Sequence, residues 1–235
     1  MLRLRFHFLL PSAAVVILVG IGMITNVPIG VTAEDEKVFE EIFGLKPTIS
    51  GSALPYEDQL DLIRRAQQVV FERIPIGLAI PERASREPAD LLRHGSGVCY
   101  DHARTFDKLY QWLGFEARHL YILFPVDRRT GESLPKLLGL LHRWTTSHAA
   151  TEVKTHKGWL IVDSVQPWIA LTPNGTPLRA EQLQAHRNQL TGAPDAYLRD
   201  FLALRGVYSR QGQLYPPRIP FPDLNWLEFI QGLVE

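Results

Sequence analysis

The sequence predicts an α+β fold in which an amphipathic helix packs on an antiparallel sheet. Apolar residues recur at helical spacing over residues 99–113, which indicates a helix with one face toward a core. A short apolar run over residues 116–124 follows at once and predicts a strand. Two further strand-like runs, 148–155 and 159–164, flank a turn at His156-Lys157-Gly158, as expected for a hairpin. A helix followed by neighbouring antiparallel strands is typical of α+β domains.

The composition limits the class of protein. The chain has 235 residues, of which 46% are hydrophobic and 21% charged, so we expect one folded domain with at most a short appendage. Its 25 basic and 25 acidic side chains cancel, which argues against a nucleic-acid partner because phosphate backbones select basic proteins. A single cysteine excludes an internal disulfide or a CxxC metal site, and the histidines lack an HExxH spacing. We therefore expect no metal and no cofactor.

The N-terminus has the pattern of an export signal or a signal anchor. Residues 8–33 carry no charge, Arg3 and Arg5 precede them, and charged residues follow from Glu34. A basic head before an apolar run leaves the arginines in the cytoplasm and carries the following chain across the membrane. We therefore expect an N-terminal hydrophobic helix that contacts the membrane through residues 8–27.

Anchoring and cleavage are both consistent with residues 1–33. As a helix, residues 11–27 would span only about 25 Å, at the short edge for a transmembrane segment. The small residues of Val31-Thr32-Ala33 also fit a signal-peptidase site, and cleavage near Ala33 would release a secreted domain. We favour anchoring because the apolar stretch is long for a signal peptide. In either case residues 34–235 form an extracytoplasmic domain, which is periplasmic in a bacterium.

The remaining sequence predicts helices around the core and two long connections. Residues 75–97 are rich in Pro and Gly and predict a loop. The connection over residues 125–147 has a length that compact domains normally use for a lid or a substrate loop. The helices predicted outside the core lie over residues 34–43, 57–74, 179–190, 195–205 and 225–234.

Cys99 is the first candidate for catalysis. It is the only cysteine of a chain predicted to be exported, where an unpaired thiol is uncommon. The preceding His94-Gly95-Ser96-Gly97-Val98 forms a glycine loop that leads into the predicted helix. The sulfur therefore lies in the first helical turn, where free N–H groups and the helix dipole favour a thiolate nucleophile. The alternative is a small buried hydrophobic residue.

His148 and Asp163 lie on the two strands of the predicted hairpin. If the turn contains two residues, the numbers of opposed residues have an odd sum, as 148 and 163 do. Both side chains then share one face, either opposite each other or one pair apart. A carboxylate that accepts a hydrogen bond from one imidazole nitrogen orients the ring and leaves the other nitrogen for a thiol. Taken singly, His148 is also consistent with a structural histidine and Asp163 with a turn cap.

Three segments resemble the transglutaminase-like superfamily, which has a papain-like core. The central helix and the following strand resemble its nucleophile segment in Gly97-Val98-Cys99-Tyr100-Asp101-His102-Ala103 and Leu113-Gly114-Phe115-Glu116-Ala117-Arg118. The hairpin resembles its histidine and aspartate strands in Ser147-His148-Ala149-Ala150-Thr151-Glu152-Val153 and Gly158-Trp159-Leu160-Ile161-Val162-Asp163-Ser164. The order Cys, His, Asp agrees, as do the spacings of 49 and 15 residues, and the resemblance covers about residues 90–166.

The resemblance implies that Cys99 is the nucleophile, His148 the general base and acid, and Asp163 the residue that orients the imidazole. It implies attack of the thiolate on an amide carbonyl to give a thioester, with a peptide or protein amide as substrate and no cofactor. By the same analogy, the backbone N–H of Cys99 is a candidate oxyanion donor. Ala149 and Ser164 depart from the family, which often has an aromatic residue and a proline at these positions.

We therefore expect a membrane-tethered or exported cysteine-dependent amide hydrolase or peptidase. Hydrolysis is favoured over transamidation because water is abundant, although the same thioester would serve a protein transamidase. The remaining alternative is a catalytically silent domain that binds peptide or glycan in an envelope or polysaccharide-export assembly.

Overall fold

The predicted α+β fold is confirmed by the structure, a computed structural model that describes residues 20, 22, 26–44, 48–142, 144–209, 214–216, 218 and 222–234. In this part of the chain, four antiparallel strands form one sheet in the order β3-β2-β1-β4. The strands are β1 (Ala117–Asp127), β2 (Thr145–Thr155), β3 (Gly158–Asp163) and β4 (Leu202–Arg205).

Helices cover both faces of the sheet. They are α1 (Ala33–Phe43), α2 (Tyr56–Arg73), α3 (Pro88–His94), α4 (Cys99–Trp112), α5 (Lys136–Leu141), α6 (Ala180–His186), α7 (Asp195–Leu198) and α8 (Trp226–Val234). The starts predicted for α1, α2, α4 and α8 are confirmed to within one residue. The start of α1 has a local cause, because Thr32 Oγ1 accepts from the N–H of Asp35 and the Asp35 carboxylate accepts from the N–H of Thr32.

Two apolar cores enclose the sheet, because successive side chains of a strand point to opposite faces. On one face α4 packs with α1 and α2, and Phe39, Ile63, Phe106 and Val153 are fully buried there. On the other face α6 and α7 cover Ile161 and its neighbours. Each such side chain contributes about 1.5–3 kcal/mol on burial, so these contacts hold α4 firmly against β2.

The β2–β3 hairpin has the register that the sequence predicts. Thr155 pairs with Gly158, so the turn contains two residues, and Ala150 pairs with Asp163. His148 lies two positions before Ala150 and therefore shares the face of Asp163, one pair away. The turn closes at Gly158, whose φ of 125° lies in the region that favours glycine.

The prediction of one helix over residues 195–205 is wrong in its second half. Helix α7 ends at Leu198, and residues 202–205 form β4, which pairs with β1 through Leu120 and Ile122. This pairing supplies partners for the backbone groups along the free edge of β1. The long-range contact outweighs the helix propensity of the segment.

Both long connections contain a short helix that the sequence analysis did not predict. Helix α3 lies within residues 75–97, begins with Pro88 in its first turn and ends at Gly95 in the left-handed conformation with φ of 76°. Helix α5 lies within residues 125–147, and both flanking strands extend into that connection.

The predicted N-terminal hydrophobic helix falls almost entirely outside the described residues, which begin with Gly20 and Gly22 and continue from Asn26. Among the helices that the structure describes, none is long and apolar enough to cross a bilayer. The chain is already part of the domain at Val27, which is 2% exposed and donates its N–H to the Leu224 carbonyl at 2.7 Å.

Candidate active site

Cys99 is the first residue of α4, as the glycine loop predicts, and its side chain is partly exposed. The close packing of that loop explains one of its glycines. A Cβ added at Gly97 would lie 2.6 Å from Leu91 Cδ1 and 2.8 Å from Asp101 Cβ, so only glycine fits there. The loop therefore fixes the position of Cys99 at the N-terminus of α4.

Asp101, in the first turn of α4, binds two backbone N–H groups and one arginine side chain at the start of the helix. Its carboxylate accepts the N–H of Val98 at 2.9 Å and the N–H of Ile80 at 3.3 Å, and it forms a buried ion pair with Arg86. A charged acceptor strengthens such hydrogen bonds, so the segment before Cys99 is held rigidly.

The first turn of α4 is also fixed against β2. The Tyr100 hydroxyl and the Ser147 hydroxyl lie 2.5 Å apart, and the Tyr100 ring packs on Tyr121 with centroids 6.2 Å apart. Ser147 directly precedes His148 in β2, so this contact sets the position of Cys99 relative to the imidazole.

His148 and Asp163 form a buried hydrogen-bonded pair. His148 Nε2 lies 2.7 Å from Asp163 Oδ2, and the carboxylate is fully buried. The second oxygen, Oδ1, accepts the N–H groups of Val165 at 2.8 Å and Gln166 at 2.7 Å. With both oxygens engaged, the carboxylate cannot turn, and it holds the ring by Nε2.

Tyr197 is a further residue of the site, and the sequence analysis missed it. Its hydroxyl donates to Asp163 Oδ2 at 2.6 Å and lies 3.4 Å from His148 Nε2. The ring is fully buried and stacks on Trp168 with centroids 4.8 Å apart. No local pattern marks this tyrosine, because its partner lies 34 residues away in the sequence.

The electrostatics of the pair favour its charged form. Burial disfavours a charged imidazole, but the hydrogen bond that the ring donates to Asp163 and the charges of Asp163 and Cys99 raise the pKa of His148 to about 10. Burial likewise opposes the Asp163 charge, yet the hydrogen bond and charge of His148, with the Tyr197 hydroxyl, hold the pKa of the carboxyl below its usual value. At neutral pH the pair is therefore an imidazolium and a carboxylate.

The structure brings together the three residues that the sequence singled out. Cys99 lies close enough to the His148 ring to raise the pKa of the imidazole, and Nε2 of that ring is engaged by Asp163. Nδ1 is therefore the nitrogen left for the sulfur. A thiol, an imidazolium and a buried carboxylate in this order can form a thiolate–imidazolium pair and move a proton to and from a substrate.

Two other residues of the segments that resemble the family do not contact the Cys99 sulfur. His102 is buried with Nε2 2.8 Å from the Ile74 carbonyl and Nδ1 3.2 Å from the Val98 carbonyl, so it supports the helix rather than the thiol. Trp159 lies near the closed end of the hairpin, where Arg118 and Lys154 stack on its ring at 3.9 and 4.9 Å. Among the described residues, no cluster of three His, Cys, Asp or Glu side chains has the arrangement of a metal site.

An open groove of about 630 Å³ lies on the face of the sheet that carries His148, and Cys99, His148 and Asp163 are not among its lining residues. Thr146 lines the groove and precedes His148 by two residues, about 7 Å along the strand. The basic lining residues are Arg128, Lys136 and Arg199, and the acidic ones, Asp127 and Asp200, each have an arginine partner outside the groove. The groove therefore has a net positive lining.

Comparison with known families agrees with this geometry. A family model described as the transglutaminase-like superfamily matches residues 48–164, a range that contains Cys99, His148 and Asp163. The match starts well before the segments that carry the resemblance in the sequence, so it includes α2 and α3 as well. No curated protein sequence matches the chain.

Proposed function

Residues 48–164 place this chain in the transglutaminase-like superfamily, and on that premise we propose that it is a cysteine-dependent amide hydrolase or peptidase. The single observation that carries the proposal is that Cys99 acts on an imidazole, that of His148, which is hydrogen-bonded to the buried Asp163 carboxylate. A purely structural histidine has no need of a buried carboxylate on one nitrogen and a thiol on the other.

The proposed reaction has two steps. The Cys99 thiolate attacks the amide carbonyl carbon, the C–N bond breaks, and the amine leaves with the proton that the His148 imidazolium carried. The acyl group is then a thioester on Cys99. His148, now neutral, takes a proton from water, and the resulting hydroxide attacks the thioester carbon. The C–S bond breaks, the carboxylic acid leaves, and the Cys99 thiolate and His148 imidazolium are restored.

The oxyanion of each tetrahedral intermediate needs hydrogen-bond donors. Cys99 and Tyr100 open α4, so their N–H groups have no acceptor within the helix. The Cys99 N–H lies next to the reacting sulfur, and the helix dipole adds positive charge at the same end. These two features support the backbone of Cys99 as the oxyanion donor.

The positively lined groove supports a preference for acidic peptides. Arg128, Lys136 and Arg199 have no carboxylate partner among the described residues, so they are free to pair with acidic side chains of a peptide. Each exposed pair contributes about 0.2–1 kcal/mol, which sets a preference rather than strict selectivity.

The proposal includes attachment to a membrane through residues 8–27, with the domain outside the cytoplasm. Residues just before the possible cleavage point at Ala33 belong to the folded domain, which supports anchoring over release. Val27 is buried, the Pro28 carbonyl accepts from Arg104 at 2.5 Å, and Thr32 caps α1. Cleavage near Ala33 would remove all three contacts.

The test uses the full chain, a library of amide-containing peptides that includes glutamine, isotopically labelled water and a labelled primary amine. We expect peptide acids that carry oxygen from the labelled water, and no such product with Cys99→Ser. Amine incorporation in place of water would show transamidation and contradict hydrolysis. Peptide binding without any product would contradict the enzyme proposal and favour the silent binding domain.

A further inference from the structure

Helix α8 carries an apolar face that no described residue covers. Leu227, Ile230, Leu233 and Val234 are 61%, 58%, 63% and 81% exposed. Their spacing of three, six and seven residues places them on one side of the helix. Exposed apolar side chains gathered in one patch indicate an interaction surface, whereas single ones do not.

The opposite side of α8 is fixed in the domain. Glu228 is 6% exposed and accepts the Tyr208 hydroxyl at 2.8 Å. A Cβ added at Gly232 would lie 2.9 Å from Arg205 Cβ, so the helix backbone lies directly against β4. The helix therefore cannot turn its apolar face inward.

The uncharged N-terminal run joins the domain at the first residue of α8. Val27 and Leu224 are hydrogen-bonded, and the Trp226 N–H donates to Asn26 Oδ1 at 2.9 Å. A Cβ on Gly22 would lie 3.9 Å from the Trp226 ring nitrogen, so the chain still runs beside α8 four residues earlier. The proposed membrane segment and the apolar face of α8 are thus neighbours.

We propose that α8 is a second membrane contact, whose apolar face lies in the interfacial layer of the bilayer that the N-terminal segment enters. This inference rests on the membrane attachment in the proposed function. A helix whose apolar side is exposed while its other side is fixed in a domain can lie in the interfacial layer of a bilayer, where burial of apolar area stabilises it. Trp226, half-buried at the start of α8, has the amphipathic ring typical of the membrane boundary.

The experiment places a nitroxide label on α8 in the full chain, reconstituted in phosphatidylcholine vesicles. In a Cys99→Ser background, Ile230→Cys carries the label, and Leu198→Cys, on α7 and 41% exposed, is the matched control. Electron paramagnetic resonance then compares collisions with oxygen, which concentrates in lipid, and with a water-soluble nickel complex. We expect the oxygen-to-nickel ratio at position 230 to exceed that at position 198 several-fold.

Vesicle flotation separates this inference from the attachment on which it depends. Chain that floats with the vesicles but carries a water-accessible label at position 230 overturns the α8 contact alone. A label shielded from both reagents also overturns it, because the face is then covered by the N-terminal segment or a second copy. Chain that fails to float overturns the attachment itself. Val234→Cys, at the most exposed position of the face, repeats the measurement should Ile230→Cys not fold.

Discussion

Replacing Tyr197 by phenylalanine removes the hydroxyl that donates to Asp163 and keeps the ring that packs on Trp168. The hydrogen bond has a buried carboxylate as acceptor, at 2.6 Å, and such bonds contribute about 1.5–3 kcal/mol. Because that bond stabilises the ionised carboxylate, we expect Tyr197→Phe to raise the pKa of Asp163. In the variant Asp163 is therefore protonated at a higher pH, and the His148 imidazolium loses its charged partner there.

Alkylation by iodoacetamide measures this effect, because Cys99 is the only cysteine. We expect the acid limb of the rate-against-pH profile to move to higher pH in Tyr197→Phe. Tyr110→Phe is the matched control: it also loses a buried hydroxyl, which donates to the Ile63 carbonyl at 3.1 Å, far from the imidazole. The control should lose about 0.5–1.5 kcal/mol of stability and keep the wild-type profile. Identical profiles for the two variants would show that the Tyr197 hydroxyl does not stabilise the Asp163 carboxylate and that Tyr197 only packs in the core.

Three further predictions address the loop, the ion pair and the groove. Gly97→Ala should lower the free energy of unfolding by about 1–3 kcal/mol because of the clashes at its Cβ, whereas Gly30→Ala, with open space, should be neutral in urea titrations. The pKa of His148 is about 10 in the fold against about 6.5 unfolded, so its stabilisation is complete below about pH 6.5 and lost as the pH rises to about 10. The unfolding free energy should fall across this window, and a fall of equal size in Asp163→Asn would contradict the ion pair. Arg199→Gln should raise KM for peptides with acidic residues by about 1.5- to 5-fold and leave neutral peptides unchanged, as steady-state kinetics would show; equal effects on both would rule out charge recognition.

The sequence was sufficient to predict the residues of the site that depend on local geometry. A two-residue turn and strict alternation determine which side chains of a hairpin share a face, so the His148–Asp163 pairing follows from numbering alone. The helix from Cys99 could be predicted because a glycine loop precedes it and apolar spacing continues for three turns.

The remaining parts of the fold and of the site depend on contacts between residues far apart in the sequence, which local patterns do not predict. Strand β4 has four residues, too few for alternation to distinguish it from a helix, and it forms because β1 offers a free edge. Tyr197 reaches Asp163 only because the chain returns to the sheet after α7. Arg86 and Asp101 lie 15 positions apart in the sequence with helix α3 between them, and no spacing rule predicts that ion pair.

The ionisation of the Cys99 sulfur is the direct measure of whether the His148–Asp163 pair stabilises a thiolate. The ultraviolet absorbance of the thiolate, taken as the difference between the wild-type chain and Cys99→Ser, is followed across pH. We expect a thiolate signal at neutral pH that is lost in His148→Ala and kept in His186→Ala, because the imidazolium stabilises the thiolate. A wild-type signal that rises only near pH 8.5, or one that His148→Ala leaves unchanged, would contradict a thiolate held by the His148–Asp163 pair.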